Sequence, residues 1–590
     1  MYRPNVADIR HALNDIAGLA PALAAGRFGD LSADLVDAVL EEASRFTAER
    51  IAPMRMVGDK NPARAKDGEV TTTPGWAQMY QAWVEGGWNS VAAPEEFGGQ
   101  GLPTMISIAL NEMWNAGSMS FGLCPMLSMG AIEALDKHGS DYLKHTYLPK
   151  LVEGAWTGTM NLTEPQAGSD LAALRTRAER NGDGTYSIFG QKIYITYGEH
   201  DIADNICHLV LARLPDAPAG TRGISLFLVP KFRVNDDGSL GARNDVYCHA
   251  VEHKLGIHGS PTCTMIYGDG KWGNAPGAIG WLVGEENRGL ACMFTMMNNA
   301  RLAVGAQGVA IADAAYQHAL AYAQERRQGK APGASGDNMS PIIEHADIQR
   351  ELLTMKALTQ SARALCYATA YAIDMARTSE GDESRHWNER AGLLTPLAKA
   401  YGTDVGCEVA SRGVQIHGGM GYVEETGAAV LLRDARIAPI YEGTNGIQAI
   451  DLVQRKLPLS GGAAIAGLLD ELAATIDTVC ASNQPGMTET ATQLARALAD
   501  TRTATAFLME RLAAGDVPTA LAGATPYLRL LSETAGGVMI AGGAVATGEA
   551  ARLALARFLA TNLIGDTPGL RDTVTAGADA LAAARTALVA

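Results

Sequence analysis

Residues 437–448 read IAPIYEGTNGIQ, and this stretch is the most informative part of the chain. It leads from apolar residues to one carboxylate, Glu442, which is followed by Gly443 and then by hydroxyl and amide side chains. An apolar setting disfavours the charged form of a carboxylate and raises its pKa, which suits a general base near neutral pH. Alone, the stretch is more typical of a solvated glutamate at a helix end, so other parts of the chain must decide.

Two further stretches stand in a fixed order with the first one. Residues 160–170 read MNLTEPQAGSD, and residues 415–422 read QIHGGMGY. In their order and spacing, the three stretches resemble the acyl-CoA dehydrogenase family of flavoproteins, and the resemblance covers residues 30–456. It implies an α+β multidomain fold with an N-terminal helical domain, a central antiparallel β-barrel or sandwich and a C-terminal four-helix bundle.

Length, charge and cysteine content limit the classes of protein to which the chain can belong. With 590 residues, 47% hydrophobic and 19% charged, the chain is long enough for several ordered globular domains. The net charge of −16 argues against a nucleic-acid partner, which requires a positive surface. The eight cysteines form no C-x-x-C pair, which argues against a zinc site, so we expect no metal and reduced thiols.

The termini carry no expected membrane or export signal. Charged residues interrupt the first twenty positions, which argues against a signal peptide. The Gly- and Ala-rich run 535–546 is too short and too weakly apolar to span a bilayer. The sequence therefore predicts a cytoplasmic protein without a membrane span.

Hydrophobic periodicity divides the chain into five predicted parts. They are an N-terminal segment (1–30), an N-terminal helical domain (31–156), a middle β domain (157–285), a helical bundle (286–457) and an additional helical domain (458–590). In the middle part, β-branched and aromatic runs predict antiparallel strands at 186–196, 207–212 and 223–229. In the bundle, the 3.6-residue period predicts helices at 300–327, 346–373 and 394–415, with a fourth after Glu442. The last part favours a helical appendage that packs on the core or on a partner subunit.

The sequence offers no Rossmann or P-loop motif, so any nucleotide cofactor needs another binding architecture. In the 160–169 stretch, Thr163 and Ser169 carry hydroxyls, while Pro165 and Gly168 shape a turn that exposes backbone N–H groups. Such a loop can bind a heteroaromatic ring and a pyrophosphate, or it can simply cap strand ends between domains. The residues alone leave both interpretations open, and the resemblance favours the flavin.

The resemblance assigns a full set of FAD-binding residues. Some have simpler alternatives: Tyr194 can be an ordinary half-buried strand aromatic, Arg326 a cation at a helix C-terminus, and Gly418 and Gly419 a helix C-cap. By resemblance, Tyr194 to Thr196 cover one face of the flavin ring, although many family members carry Trp at position 194. The implied FAD contacts are Met160, Leu162, Thr163, Gly168, Ser169, Tyr194, Ile195, Thr196, Arg326, Gln415, Ile416, Gly418, Gly419, Thr444 and Gly446.

The resemblance also implies the substrate contacts. Arg301 matches the arginine that contacts the acyl-CoA, and Asn298 replaces the aspartate that precedes it in the family. Some relatives carry the base on this helix, but residues 298–300 contain no carboxylate, which leaves Glu442 as the candidate. The implied substrate-binding residues are Ser169, Asn298, Arg301, Tyr441 and Glu442. His417 is expected to be packed rather than catalytic.

The implied reaction is α,β-dehydrogenation of an acyl-CoA thioester to the trans-2-enoyl-CoA. Glu442 takes the α-proton as the β-hydride moves to flavin N5, with the Glu442 backbone N–H among the oxyanion donors. The implied partners are an electron-transfer flavoprotein and a second subunit, most simply in a dimer, with the Arg326 and Gln415–Gly419 segments reaching the FAD of the neighbour. Length, the N-terminal residues and the C-terminal extension resemble the branch that acts on 3-methylmercaptopropionyl-CoA.

Two rival functions are carried alongside this one. An acyl-CoA oxidase performs the same half-reaction and passes electrons to oxygen, and the sequence does not distinguish it. A non-catalytic nucleic-acid-binding relative keeps the fold but needs a basic C-terminal region. Here residues 458–590 hold more acids than arginines and no lysine, which disfavours the second rival.

Overall fold

The structure is a computed structural model that describes residues 2–273, 276–335 and 338–588, without the side chain of Asn298. The chain divides into two compact units, which we treat separately. The bundle unit comprises Met1–Arg45, Ile108–Ala116 and Arg301–Ala590, and the sheet unit comprises Phe46–Ser107 and Gly117–Ala300. The five domains proposed from the sequence stay a prediction.

Helices make up most of the described chain. In chain order the α-helices are α1 Val6–His11, α2 Leu19–Ala24, α3 Ala33–Phe46, α4 Met54–Lys60, α5 Trp76–Glu85, α6 Thr104–Gly117, α7 Met119–His138, α8 Asp141–Glu153, α9 Gly289–Glu325, α10 Ala346–Thr378, α11 Gly381–His417, α12 Ala428–Ala435, α13 Asn445–Asp451, α14 Ala463–Ala481, α15 Met487–Ala513, α16 Val517–Ala522, α17 Ala524–Thr547, α18 Ala550–Asn562, α19 Thr567–Thr575 and α20 Asp579–Ala584.

The strands lie in the sheet unit. They are β1 Arg64–Lys66, β2 Glu69–Thr71, β3 Trp156–Asn161, β4 Arg177–Arg180, β5 Tyr186–Thr196, β6 Asn205–Arg213, β7 Ile224–Pro230, β8 Phe232–Val234, β9 Leu240–Arg243, β10 Val246–Val251, β11 Thr262–Tyr267 and β12 Ala278–Val283. Eight of them form one sheet in the order β10-β11-β5-β12-β7-β6-β3, with β4 beside β5 and β6.

The central strands β6 and β7 are buried on both faces, which explains their continuous apolar runs. Leu209 and Leu211 pack into a cluster that also contains residues of α7 and α8, whereas Val210 and Ala212 face the second core of the sheet. Gly158 of β3 allows α7 to approach closely, because an added Cβ would stand 2.3 Å from the Ala131 methyl carbon. The sheet is therefore a rigid support for the loops that leave its strand ends.

The bundle unit is built on three long helices, α9, α10 and α11. Helices α9 and α11 touch through glycines: a Cβ on Gly308 would stand 2.1 Å from the Gly402 carbonyl oxygen, and a Cβ on Gly305 would stand 2.5 Å from that of Ala398. Bulkier residues would push the helices apart. This close approach aligns residues near 301–308 of α9 with residues near 398–402 of α11.

The C-terminal helices α14 to α20 belong to the bundle unit. Helix α17 is the central one and packs on α10 and α11, where Gly536 lies against Ser361. Among the described residues, α17 is the one helix long and apolar enough to cross a membrane by length and composition, but 72% of its apolar window is buried inside the protein. The extension therefore packs on the bundle of its own chain, one of the two arrangements expected.

The predicted fold class is confirmed, and some details differ. Strand 186–196 has the predicted bounds, but β3 pairs with β6 in parallel, so the sheet is not purely antiparallel. Helix α11 begins at Gly381 rather than 394, because Pro396 lies inside it without ending it. Beside the proline, Thr395 Oγ1 donates to the Ala391 carbonyl at 2.7 Å.

Candidate active site

Glu442 lies in a turn of unusual backbone geometry between α12 and α13. Its φ is +55° and that of Gly443 is +83°, so two successive residues occupy the left-handed region. Such a conformation costs a residue with a Cβ about 1–2 kcal/mol. Gly443 adopts its φ without strain, and an added Cβ would stand 2.8 Å from Gln448 Nε2, which would have to move. A strained, well-supported residue of this kind is typical of functional sites.

Two buried cations face this turn from the long helices. Arg301 of α9 is 7% exposed, and its Nη2 lies 3.9 Å from the place where a Cβ on Gly443 would stand. Lys399 of α11 is 0% exposed, and its Nζ donates to the Gly443 carbonyl at 2.8 Å and to Asn445 Oδ1 at 2.9 Å. The glycine contacts between α9 and α11 place both cations beside one carboxylate.

The electrostatic setting of Glu442 suits a base. The residue keeps intermediate solvent exposure, yet the surrounding protein desolvates the carboxyl and raises its pKa to about 7. The charges of Arg301 and Lys399 act in the opposite direction and limit the rise. Glu442 is thus near half-ionised at neutral pH, which is where a general base is most effective.

Tyr441 is fixed by a chain of hydrogen bonds. Its hydroxyl donates to Gln307 Oε1, and Gln307 Nε2 donates to Asn115 Oδ1 at 3.0 Å. The phenol oxygen is therefore already engaged, and the ring is left as an apolar wall beside the carboxylate. Burial and the neighbouring Glu442 charge raise the pKa of Tyr441 well above its usual value, so the phenol stays neutral.

The predicted cofactor loop after β3 is held by a buried ion pair. Lys192 of β5 is 0% exposed and donates to the Leu162 carbonyl at 3.0 Å and to Glu164 Oε1 at 2.8 Å. Glu164 also accepts from the backbone N–H groups of Arg175 and Thr176, at 2.7 and 3.0 Å. The Lys192 ammonium and these donors hold the pKa of Glu164 at about 2 despite its burial. The loop is fixed before any ligand arrives.

The end of β5 presents an aromatic ring to solvent. Tyr194 is 61% exposed at a φ of +61°, which turns it out of the regular strand geometry. Thr196 is half-buried, and its carbonyl accepts from Thr159 Oγ1 at 2.7 Å. Ile195 is buried in the core of the sheet, so the expected contact with a flavin is limited to its backbone.

These residues fit a flat heteroaromatic cofactor such as FAD. Leu162 and Thr163 are half-buried, Gly168 and Ser169 are exposed, and all four stand on the loop that Lys192 fixes. The exposed Tyr194 ring supplies an apolar face in the same unit. Met160 departs from the expectation, because its side chain lies in a core cluster and only its backbone can meet a ligand.

The predicted residues for the nucleotide half lie at the C-terminal ends of α9 and α11. Arg326 follows the last residue of α9, and its guanidinium is exposed and donates to Gln328 at 3.3 Å. Gln415, Gly418 and Gly419 are exposed at the end of α11, and Gly418 has a φ of +59°. Ile416 is buried, so its side chain is not available to a ligand of this surface.

His417 is packed, as expected from the sequence. Its ring centroid lies 4.5 Å from those of His318 and Tyr322, and Nδ1 bonds the Gly413 carbonyl at 2.7 Å. Burial lowers its pKa, which favours the neutral ring. The histidine therefore supports the end of α11 and does no acid–base chemistry at the Glu442 turn.

The remaining predicted residues are Thr444, Gly446 and Asn298. The Thr444 hydroxyl caps α13 by accepting from the Ile447 N–H at 3.3 Å, and Gly446 is exposed in the first turn of that helix. The side chain of Asn298 lies outside the described residues. Their expected contacts with FAD and with the substrate stay predictions.

Sequence reasoning missed the groups that support the site. Lys399, Lys192 and Gln307 are buried polar residues, and none belongs to a recognised motif. The available signal was the isolated charge in an apolar setting: Lys399 stands between Ala398 and Ala400 on a helix that is otherwise packed at this level. Buried lysines are rare unless they are paired, so a lysine in such a setting indicates nearby acceptors.

The chain matches family models over most of its length. The acyl-CoA dehydrogenase N-terminal, middle and C-terminal domains match residues 35–155, 159–269 and 287–457, and the acetyl-CoA dehydrogenase C-terminal-like model matches 468–585. Among curated relatives, 3-methylmercaptopropionyl-CoA dehydrogenase of Ruegeria pomeroyi is 46% identical, over 91% of this chain and 90% of that protein. A butyryl-CoA dehydrogenase of Syntrophomonas wolfei is 35% identical over 78% and 76% of the two chains.

Solved structures share the fold. Caenorhabditis elegans ACDH-11 in complex with C11-CoA has a TM-score of 0.76 at 20% identity, covering 95% of this chain and 90% of its own. The acyl-CoA dehydrogenase complexed with FAD from Bacillus anthracis has a TM-score of 0.73 at 22% identity, covering 92% and 88%. Both cover the extension as well as the three preceding domains.

Proposed function

This chain belongs to the acyl-CoA dehydrogenase family and is an FAD-dependent oxidoreductase, and we propose that Glu442 is the base of its reaction. The reaction removes one α- and one β-hydrogen from an acyl-CoA thioester and leaves the trans-2-enoyl-CoA. The observation that carries this assignment is a carboxyl whose pKa is raised to about 7, held in a left-handed turn beside two buried cations. At this pKa the carboxyl is partly ionised at neutral pH, and its ionised form can accept the α-proton.

The chain's residues have distinct roles in the proposed reaction. Glu442 takes the α-proton, and its backbone N–H is the proposed donor to the thioester oxygen, where negative charge develops. The Tyr441 ring, held through Gln307, keeps water from the base. Arg301, which faces the same turn, is the proposed cation that contacts the acyl-CoA. When bound, FAD supplies the hydride acceptor that completes the oxidation.

We place FAD on the residues that the structure leaves accessible. In the sheet unit these are the loop at Leu162, Thr163, Gly168 and Ser169, with the Tyr194 ring. Met160 and Ile195 take part through their backbones, and Thr196 through its backbone or hydroxyl. The fixed loop costs little ordering entropy on binding, because Lys192 and Glu164 already hold it.

We propose a homodimer in which Arg326 and the segment Gln415–Gly419 meet the neighbouring subunit. The support is an exposed apolar patch next to that segment: Met420, Tyr422 and Val423 are 49%, 89% and 40% exposed. Exposed apolar side chains that stand together mark interaction surfaces. Light scattering after size exclusion measures the mass, and a monomer with full flavin content would contradict the proposal.

The substrate proposal follows the relative with 46% identity and names 3-methylmercaptopropionyl-CoA or a similar short- or medium-chain acyl-CoA. An electron-transfer flavoprotein is the proposed acceptor. Cytoplasmic location is also proposed, because the eight cysteines form no disulfide in the described part of the chain, an arrangement that suits a reducing compartment.

The test is anaerobic titration of the purified yellow protein with acyl-CoAs of graded chain length. Bleaching of the flavin by a short or medium acyl-CoA, followed by slow reoxidation in air, supports a dehydrogenase. Rapid reoxidation by oxygen would indicate an oxidase. A protein that takes up added FAD but is not bleached by any acyl-CoA would overturn the proposed reaction.

A further inference from the structure

Lys399 is a buried cation that the reaction described above does not use. Its side chain is 0% exposed, and burial lowers its pKa to about 7, while the carboxylates of Glu442 and Asp404 favour the charged form. A lysine in this position loses its hydration and retains few conformations, which destabilises the fold unless its contacts compensate. Its contacts are directed at the turn that carries the proposed base.

Those contacts fix the backbone on the C-terminal side of Glu442. The ammonium donates to the Gly443 carbonyl at 2.8 Å and to Asn445 Oδ1 at 2.9 Å, so it bridges the turn and the first residue of α13. Asn445 is fixed in turn, because its Nδ2 donates to Asp404 Oδ1 at 2.8 Å and to the Ala400 carbonyl at 3.1 Å. The amide therefore cannot rotate away from Lys399 without breaking contacts with α11.

Lys399 contacts the part of the turn in which two successive residues have positive φ values. Glu442 and Gly443 have φ values of +55° and +83°, and the carbonyl that accepts from Lys399 belongs to the second of them. A charge-assisted hydrogen bond is roughly twice as strong as a neutral one, so it can hold a strained turn against relaxation. If the turn relaxed, both the carboxylate and the backbone N–H of Glu442 would move.

We propose that Lys399 is the positioning residue of the Glu442 turn, which it fixes through the Gly443 carbonyl while placing a cation that faces the base. This inference rests on the proposed role of Glu442. The charged groups that face Glu442 are Arg301 on α9 and Lys399 on α11, and those that face Lys399 are Glu442, Asp404 and Arg301. An ionised Glu442 favours the ammonium form of Lys399, so the charge states of the two groups are coupled.

The experiment compares the FAD-loaded variants Lys399→Met and Lys399→Gln with the wild type and with two references. Lys356→Met removes a partly buried lysine of α10 whose ammonium lies over the Tyr316 ring, and it controls for the loss of any bundle lysine. Glu442→Gln tests the proposed base itself. The probe is an acyl-CoA with sulfur in place of the β-carbon, which can lose the α-proton but no β-hydride.

Three quantities are measured for each protein: flavin content, the dissociation constant of the probe, and its α-proton exchange with D₂O as a function of pH. In Lys399→Met, flavin content and probe affinity should stay within about twofold of wild type, while exchange slows roughly 100-fold, the cost of a misplacement near 1 Å. The pH of half-maximal exchange should rise by about one unit, because a carboxylate that loses a nearby cation ionises less readily. Lys399→Gln should show the same upward shift, because it also lacks the charge.

The other possible results distinguish a failure of the positioning role of Lys399 from a failure of the base assignment of Glu442. If Lys399→Met keeps exchange within about threefold and an unshifted pH midpoint, while Glu442→Gln is inactive, the positioning role is wrong and the base assignment stands. If both lysine variants lose flavin or fold poorly while Lys356→Met does not, Lys399 is a structural residue only, and the inference is equally wrong. If Glu442→Gln keeps its exchange, the proposed function fails first.

Discussion

Gly443→Ala should slow flavin reduction while the protein stays folded. The φ of +83° costs an alanine about 1–2 kcal/mol, and the new Cβ would stand 2.8 Å from Gln448 Nε2. Gln448 is fully buried, and its amide lies 3.4 Å from the carbonyl oxygens of Glu442 and Gly443, so its retreat weakens contacts worth roughly 1–2 kcal/mol together. The sum is about 2–4 kcal/mol.

If the turn avoids this cost by leaving its left-handed geometry, the same free energy sets the population of the competent turn. At about 1.4 kcal/mol for each factor of ten, the limiting rate of flavin reduction should fall roughly 30- to 1,000-fold. Stopped-flow absorbance at saturating acyl-CoA measures that rate, and the flavin spectrum reports on cofactor retention. Flavin content should be unchanged, because the proposed flavin-ring contacts lie in the other unit of the chain.

The matched control is Gly467→Ala in α14, where no other heavy atom lies within 4 Å of the new Cβ. Alanine has the higher helix propensity, by about 1 kcal/mol, so this variant should be as active as wild type and no less stable. A Gly443→Ala protein that reduces its flavin within about threefold of wild type would refute the argument that the left-handed turn positions the base.

Three other predictions concern separate parts of the site. The rate of flavin reduction at low substrate should rise about tenfold per pH unit as the pH approaches 7 from the acidic side, because the Glu442 carboxyl, with a pKa of about 7, acts when ionised; a profile that is flat across the acidic range would contradict this. Lys192→Met should release the Leu162–Glu164 loop and weaken FAD binding at least about tenfold in an equilibrium titration, whereas the surface substitution Lys150→Met in α8 should not. Arg326→Ala should lose flavin on extensive dialysis and shift the protein toward monomer, since the guanidinium is exposed and poorly engaged within its own chain; full flavin retention in an intact dimer would count against the proposed cross-subunit contact.

The sequence predicted those parts of the fold that periodicity controls. Strand 186–196 alternates and ends at residues that favour turns, and its bounds agree with those of β5. The parallel pairing of β3 with β6 was out of reach, because a strand buried on both faces has the same composition in either orientation. The start of α11 was misplaced because Pro396 favours a helix boundary, whereas in the structure the helix continues through it from Gly381.

For the candidate site, the sequence indicated the carboxylate of Glu442 but not the residues that contact its turn. Glu442 stands in a recognisable stretch, but its raised pKa depends on how much protein surrounds it and on two cations from helices more than forty residues away in sequence. Of the predicted FAD contacts, Ile195 and Ile416 turned out to have buried side chains, because a motif names residues and not the direction in which they point. Lys399 and Lys192 carry no motif, and only coordinates show that both donate to main-chain carbonyls of functional loops.

The most direct test of the central claim is the α-proton exchange of Glu442→Gln with the β-thia acyl-CoA probe. Glutamine preserves the volume and the backbone N–H of the residue but cannot accept a proton. With flavin content and probe affinity unchanged, deuterium incorporation by mass spectrometry should fall by at least ~10²–10⁴ relative to wild type, the usual worth of a general base. Exchange within about tenfold of wild type would show that another group takes the proton, and the assignment of Glu442 would be wrong.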